Sequence, residues 1–163
     1  MSQIVLSLLV DNQAGVLSRV SGLFSRRGYN IDSLTVGETE NPLYSRMTVV
    51  ANGEPEVLEQ IEKQLAKLVD VVEITNLAPN KSVTRELVLI KVSANAENRH
   101  KITEIAGIFR ANIVDIYSNS MMLEMTGGMQ KIEAFIELLK PFEILQLVRT
   151  GVTGLLRGSA DEN

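Results

Sequence analysis

A chain of 163 residues suits one medium domain or two small ones. Its 45% hydrophobic and 22% charged residues describe a globular protein rather than a disordered one. A net charge of −4 without any Lys/Arg block argues against nucleic acid as the main partner, the absence of cysteine removes disulfides and thiolate metal sites, and the lone His100 cannot build a histidine zinc cluster.

The start, MSQIVLSLLV, alternates like a strand, and Ile4–Val10 is rich in β-formers. It lacks the basic opening and small-residue cleavage site of a signal peptide, and no later run approaches the ~20 apolar residues that span a bilayer. The expectation is a cytoplasmic chain with no membrane partner. Val16, Leu17, Val20, Leu23 and Phe24 then share one helical face, and Gly28 stands where a helix end favours a left-handed residue. Ile31–Val36 reads as a strand, GETENPLY as a turn-rich connection, and Met47–Val50 as the paired strand. Pro55 fits a first helical position ahead of the stripe Val57, Leu58, Ile61, Leu65 and Leu68, with Glu59 and Lys63 paired on the wet side. Val71–Leu77 closes a β-α-β-β-α-β unit over residues 1–77.

Ala78–Val83 reads as a linker, and the same order of elements returns over residues 84–163. Leu87–Val92 is a strand, Ile102, Ile105 and Phe109 mark a helix, and NIVDIYS and MMLEM are strands. Met129, Ile132, Phe135, Ile136 and Leu139 mark the fourth helix, Pro141 ends it, and EILQLVR is the last strand. Gly22-Leu23-Phe24 and Gly107-Ile108-Phe109 echo one another in the first and third helices. The predicted fold is α+β, two tandem ferredoxin-like units with both helices of each on one face of an antiparallel sheet. The first strand is apolar on both faces, so the face without helices is expected to meet another sheet, in an oligomer. GVTGLLRGSADEN, Gly151–Asn163, is read either as a mobile tail or as a docking segment carrying Leu155, Leu156 and Arg157; Ser159–Asn163 reads as a flexible acidic end.

The turn Asp11–Gly15 leads from a strand straight into a helix. Such a start presents unpaired backbone N–H groups and the positive end of the helix dipole, which together take a carboxylate or a phosphate. Gly15 admits a ligand close to the backbone. No Lys stands in the turn and the glycines fit neither phosphate-binding pattern, so the balance leans to carboxylate. Asn12 and Asn30 offer acceptors for an ammonium group, and Val16, Leu17 and Ile31 offer apolar surface. A structural reading competes, with Asn12 capping the helix, Gly15 serving the turn and Asn30 following Gly28 in a bend. No candidate catalytic residue emerges: Asp32, Glu38 and Glu40 form a charged hairpin, and His100 sits on a polar helix face.

At these residues the chain resembles an ACT domain, a small-molecule-sensing module. GVLSRVSGLFSRRGYNIDSLTVGETE, SRMTVV, LEQIEKQLAKLVDV, RELVLIKV and RTGVTGLLRG together resemble the regulatory small subunit of acetolactate synthase, from about Ile4 to Gly158. The resemblance implies an N-terminal ACT domain for effector binding and dimerisation, followed by a C-terminal ferredoxin-like domain. It implies no catalysis and no cofactor on this chain; thiamine diphosphate, Mg and FAD belong to the large catalytic subunit, the expected partner. It implies activation of that partner and feedback inhibition by valine, held in a homodimer by Asn12, Gly15 and Val16 of one copy and Asn30 and Ile31 of the other. The alternative is a stand-alone amino-acid sensor of ACT type acting on a different partner. The second unit has no glycine in SANAENRH and is three residues shorter after Phe109, so it is not expected to bind valine this way.

Overall fold

The computed structural model describes residues 2–158. They form two compact units, one of residues 2–83 with 152–158, the other of residues 84–151. The expected division gave all residues after 83 to the second unit. In the structure the chain returns to the first unit after Gly151.

The first unit contains β1 (Ser2–Asp11), α1 (Val16–Arg26), β2 (Ile31–Glu38), β3 (Tyr44–Gly53), α2 (Pro55–Leu65) and β4 (Val71–Asn76). The antiparallel sheet has the order β2-β3-β1-β4. On the helix side, Ile4, Leu6, Leu8 and Val10 of β1 pack with Met47, Val49 and Ala51 of β3. Val16, Val20, Leu23 and Phe24 of α1 and Leu58, Ile61 and Leu65 of α2 complete this core. Such period-2 and period-3.6 stripes are what the sequence carries, and each fully buried aliphatic side chain contributes about 1.5–3 kcal/mol.

Two backbone devices position the ends of α1. Gly15, ahead of the first turn, has φ +88°, and Gly28 after the last has φ +68°. At the C-terminal end the Gly28 N–H donates to Ser25 O and the Tyr29 N–H to Phe24 O. This paired motif needs a left-handed residue, and it delivers the chain to Asn30 and the start of β2. At that start the ladder shifts, with Ile31 opposite Ala51 but Ser33 opposite Val50. Asp32 is therefore an extra residue, a bulge, and it turns Ile31 to the core side while Ser33 and Thr35 take the opposite face.

The face opposite the helices is buried as well, at Val5, Ser7, Thr48 and Val50. The sequence reading expected a second sheet to cover it. In part, the chain covers it itself. Leu77 follows β4 onto this face, with its N–H on Val5 O. Val152 reaches the same face and is hydrogen-bonded to the side chains of Ser33 and Thr35, and β9 (Thr153–Leu156) lies against β3.

The second unit repeats the plan with β5 (Ser82–Ser93), α3 (Arg99–Phe109), β6 (Asn112–Ile116), β7 (Ser120–Gly127), α4 (Met129–Leu139) and β8 (Ile144–Arg149), in the sheet order β6-β7-β5-β8. β9 also pairs β5. The expected linker is shorter than read, because Ser82 already belongs to a strand, its hydroxyl donating to Ala78 O at 2.6 Å. Val88, Ile90 and Val92 of β5 pack with Met121, Leu123 and Met125 of β7, under Ile102, Ala106, Ile132, Phe135, Ile136 and Leu139 of the two helices. After α4, Pro141 lies in a single 3-10 turn, Lys140–Phe142, which ends in Glu143 at φ +68°. The tail residues Ser159–Asn163 lie outside the described residues.

Candidate functional site

The predicted turn is built by long-range tethers rather than by a helix cap. The Asp11 N–H donates to Asp70 O and the Asn12 N–H to Leu43 O. The Asn12 side chain donates from Nδ2 to Pro42 O at 2.9 Å and accepts at Oδ1 from the Ser45 hydroxyl at 3.1 Å. Asn12 thus pins the turn to the connection between β2 and β3, which excludes the capping alternative. No side chain caps α1. Val16 N–H reaches Gln13 O at 3.4 Å, and Arg19 N–H makes the first regular helical bond, to Gly15 O. Among the described residues, the Leu17 and Ser18 N–H groups have no acceptor. The start of α1 therefore offers two free amide donors at the positive end of the helix dipole.

A residue that sequence reasoning did not single out stands beside them. Arg19 donates from Nε and Nη2 to the two carboxylate oxygens of Asp70, at 2.5 and 3.1 Å. Among the described residues this fork leaves Nη1 without an acceptor, and Nη1 would lie 2.9 Å from a Cβ placed on Gly15. The guanidinium therefore overhangs the glycine; a side chain there would displace the flexible end of Arg19, and it is the left-handed φ that requires Gly15. The hydrogen bond from Arg19, helped by its charge, holds the Asp70 carboxyl below the usual carboxylate range against the desolvation that opposes it. The same bond raises the Arg19 pKa. The signal was available in part: Arg19 is four residues after Gly15, one helical turn above it. Its partner, 51 residues away, was not readable.

The remaining predicted residues divide. Val16 is buried, so its side chain belongs to the core and only its backbone faces the turn. Leu17 is exposed. Ile31 is half-buried against the same core as Val16. Asn30 is exposed and donates from Nδ2 to Asp32 Oδ1 at 2.6 Å, while Asn52 donates to the other oxygen of Asp32. Among the described residues, no hydrogen bond joins Asn30 or Ile31 to Asn12, Gly15 or Val16. In one copy of the chain the predicted residues therefore fall in two separate places, the turn and the start of β2, each of which would be half of the expected site.

The corresponding turn of the second unit is closed. Asn95 Oδ1 accepts from the N–H groups of Glu97 and Asn98, at 2.9 and 3.0 Å, and Asn98 Oδ1 accepts from Asn95 N–H at 2.7 Å. Elsewhere, an open groove of about 560 Å³ runs between α2 and β4, lined by Glu59, Glu62, Lys63 and Glu73 among others; it shares no residue with either half-site. Among the described residues, no cluster of three or more His, Asp or Glu is placed to hold a metal ion, and no helix is long and apolar enough to cross a membrane.

Fold and site together define an ACT-type regulatory chain: a ferredoxin-like unit with an open, glycine-led helix start, followed by a second ferredoxin-like unit whose preceding turn is tied by its own side chains. Comparison with known proteins agrees. Residues 6–73 match the family described as AHAS small subunit-like ACT domain, and residues 85–158 match that described as small subunit of acetolactate synthase. A probable acetolactate synthase small subunit of Methanothermobacter thermautotrophicus is 49% identical over 156 residues, which cover 95% of this chain and 93% of that one. The acetolactate synthase small subunit of Mycolicibacterium smegmatis is 48% identical over 94% of this chain and 90% of its own. The crystal structure of the small subunit from Thermotoga maritima superimposes with a TM-score of 0.88 at 40% identity, covering 98% of this chain and 99% of that one. The chain belongs to the acetolactate synthase small subunit family. It is a regulatory subunit, and catalysis lies in the large subunit.

Proposed function

We propose that this subunit activates the large subunit of acetolactate synthase and makes it sensitive to feedback inhibition by valine, bound between two copies of the first unit. In this reading the turn half-site, Asn12, Gly15 and Val16, comes from one copy and Asn30 and Ile31 from the other. The cytoplasm is the site of action. Thiamine diphosphate, Mg and FAD are held by the large subunit, and valine is the small molecule this chain takes.

The observation that carries the reading is the start of α1. Two amide donors without acceptors, under a left-handed glycine and beside the unshared Nη1 of Arg19, form a cradle for one carboxylate. A hydrogen bond to a charged group contributes roughly 1.5–3 kcal/mol, so two or three such donors supply most of what millimolar-to-micromolar affinity requires. The second half-site adds the amide of Asn30 and the half-exposed side chain of Ile31, an apolar surface suited to a short aliphatic tail. Because each copy offers both halves, valine tightens the pair of copies and shifts the complex between two states, with a coupling of about 1–3 kcal/mol.

Gly15→Asp tests the reading. It places a carboxylate where the ligand's own carboxylate is held, and it collides with Arg19. The reconstituted holoenzyme is expected to keep its activation by the small subunit and lose its inhibition by valine. Full valine sensitivity in that holoenzyme overturns the site assignment.

A further inference from the structure

The second half-site continues into the contact that returns the chain to the first unit. Asn30 and Ile31 open β2; two residues later Ser33 accepts, at its hydroxyl, the N–H of Val152 at 2.9 Å. Thr35, on the same face, donates its hydroxyl to Val152 O at 3.3 Å. Both backbone groups of Val152 are thus held by side chains of one strand, and Val152, 4% exposed, is the buried residue of segment 151–158. The segment is punctuated for this role. Gly151, at φ +88°, turns the chain just before the anchor, and beyond β9 the Arg157 N–H closes on Lys81 O at 2.8 Å.

We propose that residues 152–157 are a strap whose seating on β2 is coupled to effector binding at the start of the same strand. This rests on the valine reading of that half-site and extends it to a second, distant segment. The coupling element is the bulge at Asp32. It lies between Ile31 and Ser33, and it alone lets Ile31 face the core while Ser33 and Thr35 face the strap. Its conformation is held by Asp32, whose two carboxylate oxygens accept from Asn30 and Asn52. A ligand ammonium group held by the side-chain oxygen of Asn30 leaves its Nδ2 on Asp32 and fixes that side chain, so it holds the bulge in the conformation that presents Ser33, the next residue along. A seated strap holds the strand in one register, so less ordering remains for the ligand to impose. Strap and ligand therefore stabilise one another, and by linkage the effect is reciprocal.

Amide hydrogen exchange of Val152 in the full chain reads the coupling directly. Saturating valine is expected to slow it by about fivefold or more. Reciprocally, Ser33→Ala with Thr35→Val is expected to speed that exchange and to weaken valine binding by about the same factor, measured by calorimetry. Valine that binds the native chain and leaves Val152 exchange unchanged overturns the strap, whether or not the double variant folds. A native chain that binds no valine overturns the half-site reading, and the strap falls with it.

Discussion

The helix starts of the two units occupy the same place in the same fold, and the turns that lead into them are built differently. In the first unit Gly15 carries no side chain, no cap reaches back, and Leu17 and Ser18 point unmatched donors outward. In the second, the loop ahead of α3 binds its own amides: Asn95 and Asn98 hydrogen-bond into each other's backbone, and Asn95 also takes the Glu97 N–H. The helix ends differ too. Each finishes with the same pair of bonds around a left-handed residue, but that residue is Gly28 in the first unit and Arg110, at φ +56°, in the second. Two copies of one architecture thus differ through small changes at their turns. What marks the first copy, among the described residues, is that no side chain satisfies the Leu17 and Ser18 amides.

The comparison can be broken most forcefully at Gly15. Native protein at a valine concentration 100 times Kd is expected to gain about 2.7 kcal/mol, and the Gly15→Asp chain none, in paired thermal melts. A shift of equal size in both places the ligand elsewhere. Next in size, Gly28→Ala is expected to lose about 1–2 kcal/mol in urea titration, because the site is spacious and only its backbone conformation resists a side chain. Asn95→Ala should destabilise the second unit by ~1 kcal/mol, because two loop amides lose their acceptor, and should confer no valine response. Arg110→Gly is expected to stabilise by roughly 0.5 kcal/mol, the relief of left-handed strain less the added freedom of glycine when unfolded. A destabilising outcome there would show that the arginine side chain does more than tolerate its position.

The smallest effect is a slope against pH. Asp70 has its pKa depressed from 3.8 by the Arg19 hydrogen bond, so the pair's stabilisation is complete above that value and fades as pH falls through the lowered one. Asp70→Asn should flatten this part of the stability curve. The change is small because Arg19 is half exposed and solvent screens the pair.

Much of this fold was legible because it is periodic. Val16, Val20, Leu23 and Phe24 announce a buried helical face, and Gly28 and Pro55 mark boundaries by backbone requirements that no neighbour can overrule. The glycine-led turn was legible for the same reason. The tethers were not. Asn12 looks like a helix cap until Pro42 and Ser45 are brought beside it, and Arg19 looks solvated until Asp70 arrives. Asp32 gives no sign of a bulge, since an extra residue shows only against the partner strand. The least readable feature was the partnership of Ser33 and Thr35 with Val152, because two hydroxyls alternating along a strand look like any solvent face.

That partnership bears on how the protein is made. Residues 2–83 precede the second unit in the chain, yet the residues that complete the first unit, from Val152 onward, leave the ribosome after residues 84–151. Nascent chains therefore carry an incomplete first unit until that later segment has been made. Premature termination near Gly151 would spare the later-made unit and damage the earlier one, reversing the usual polarity of truncation.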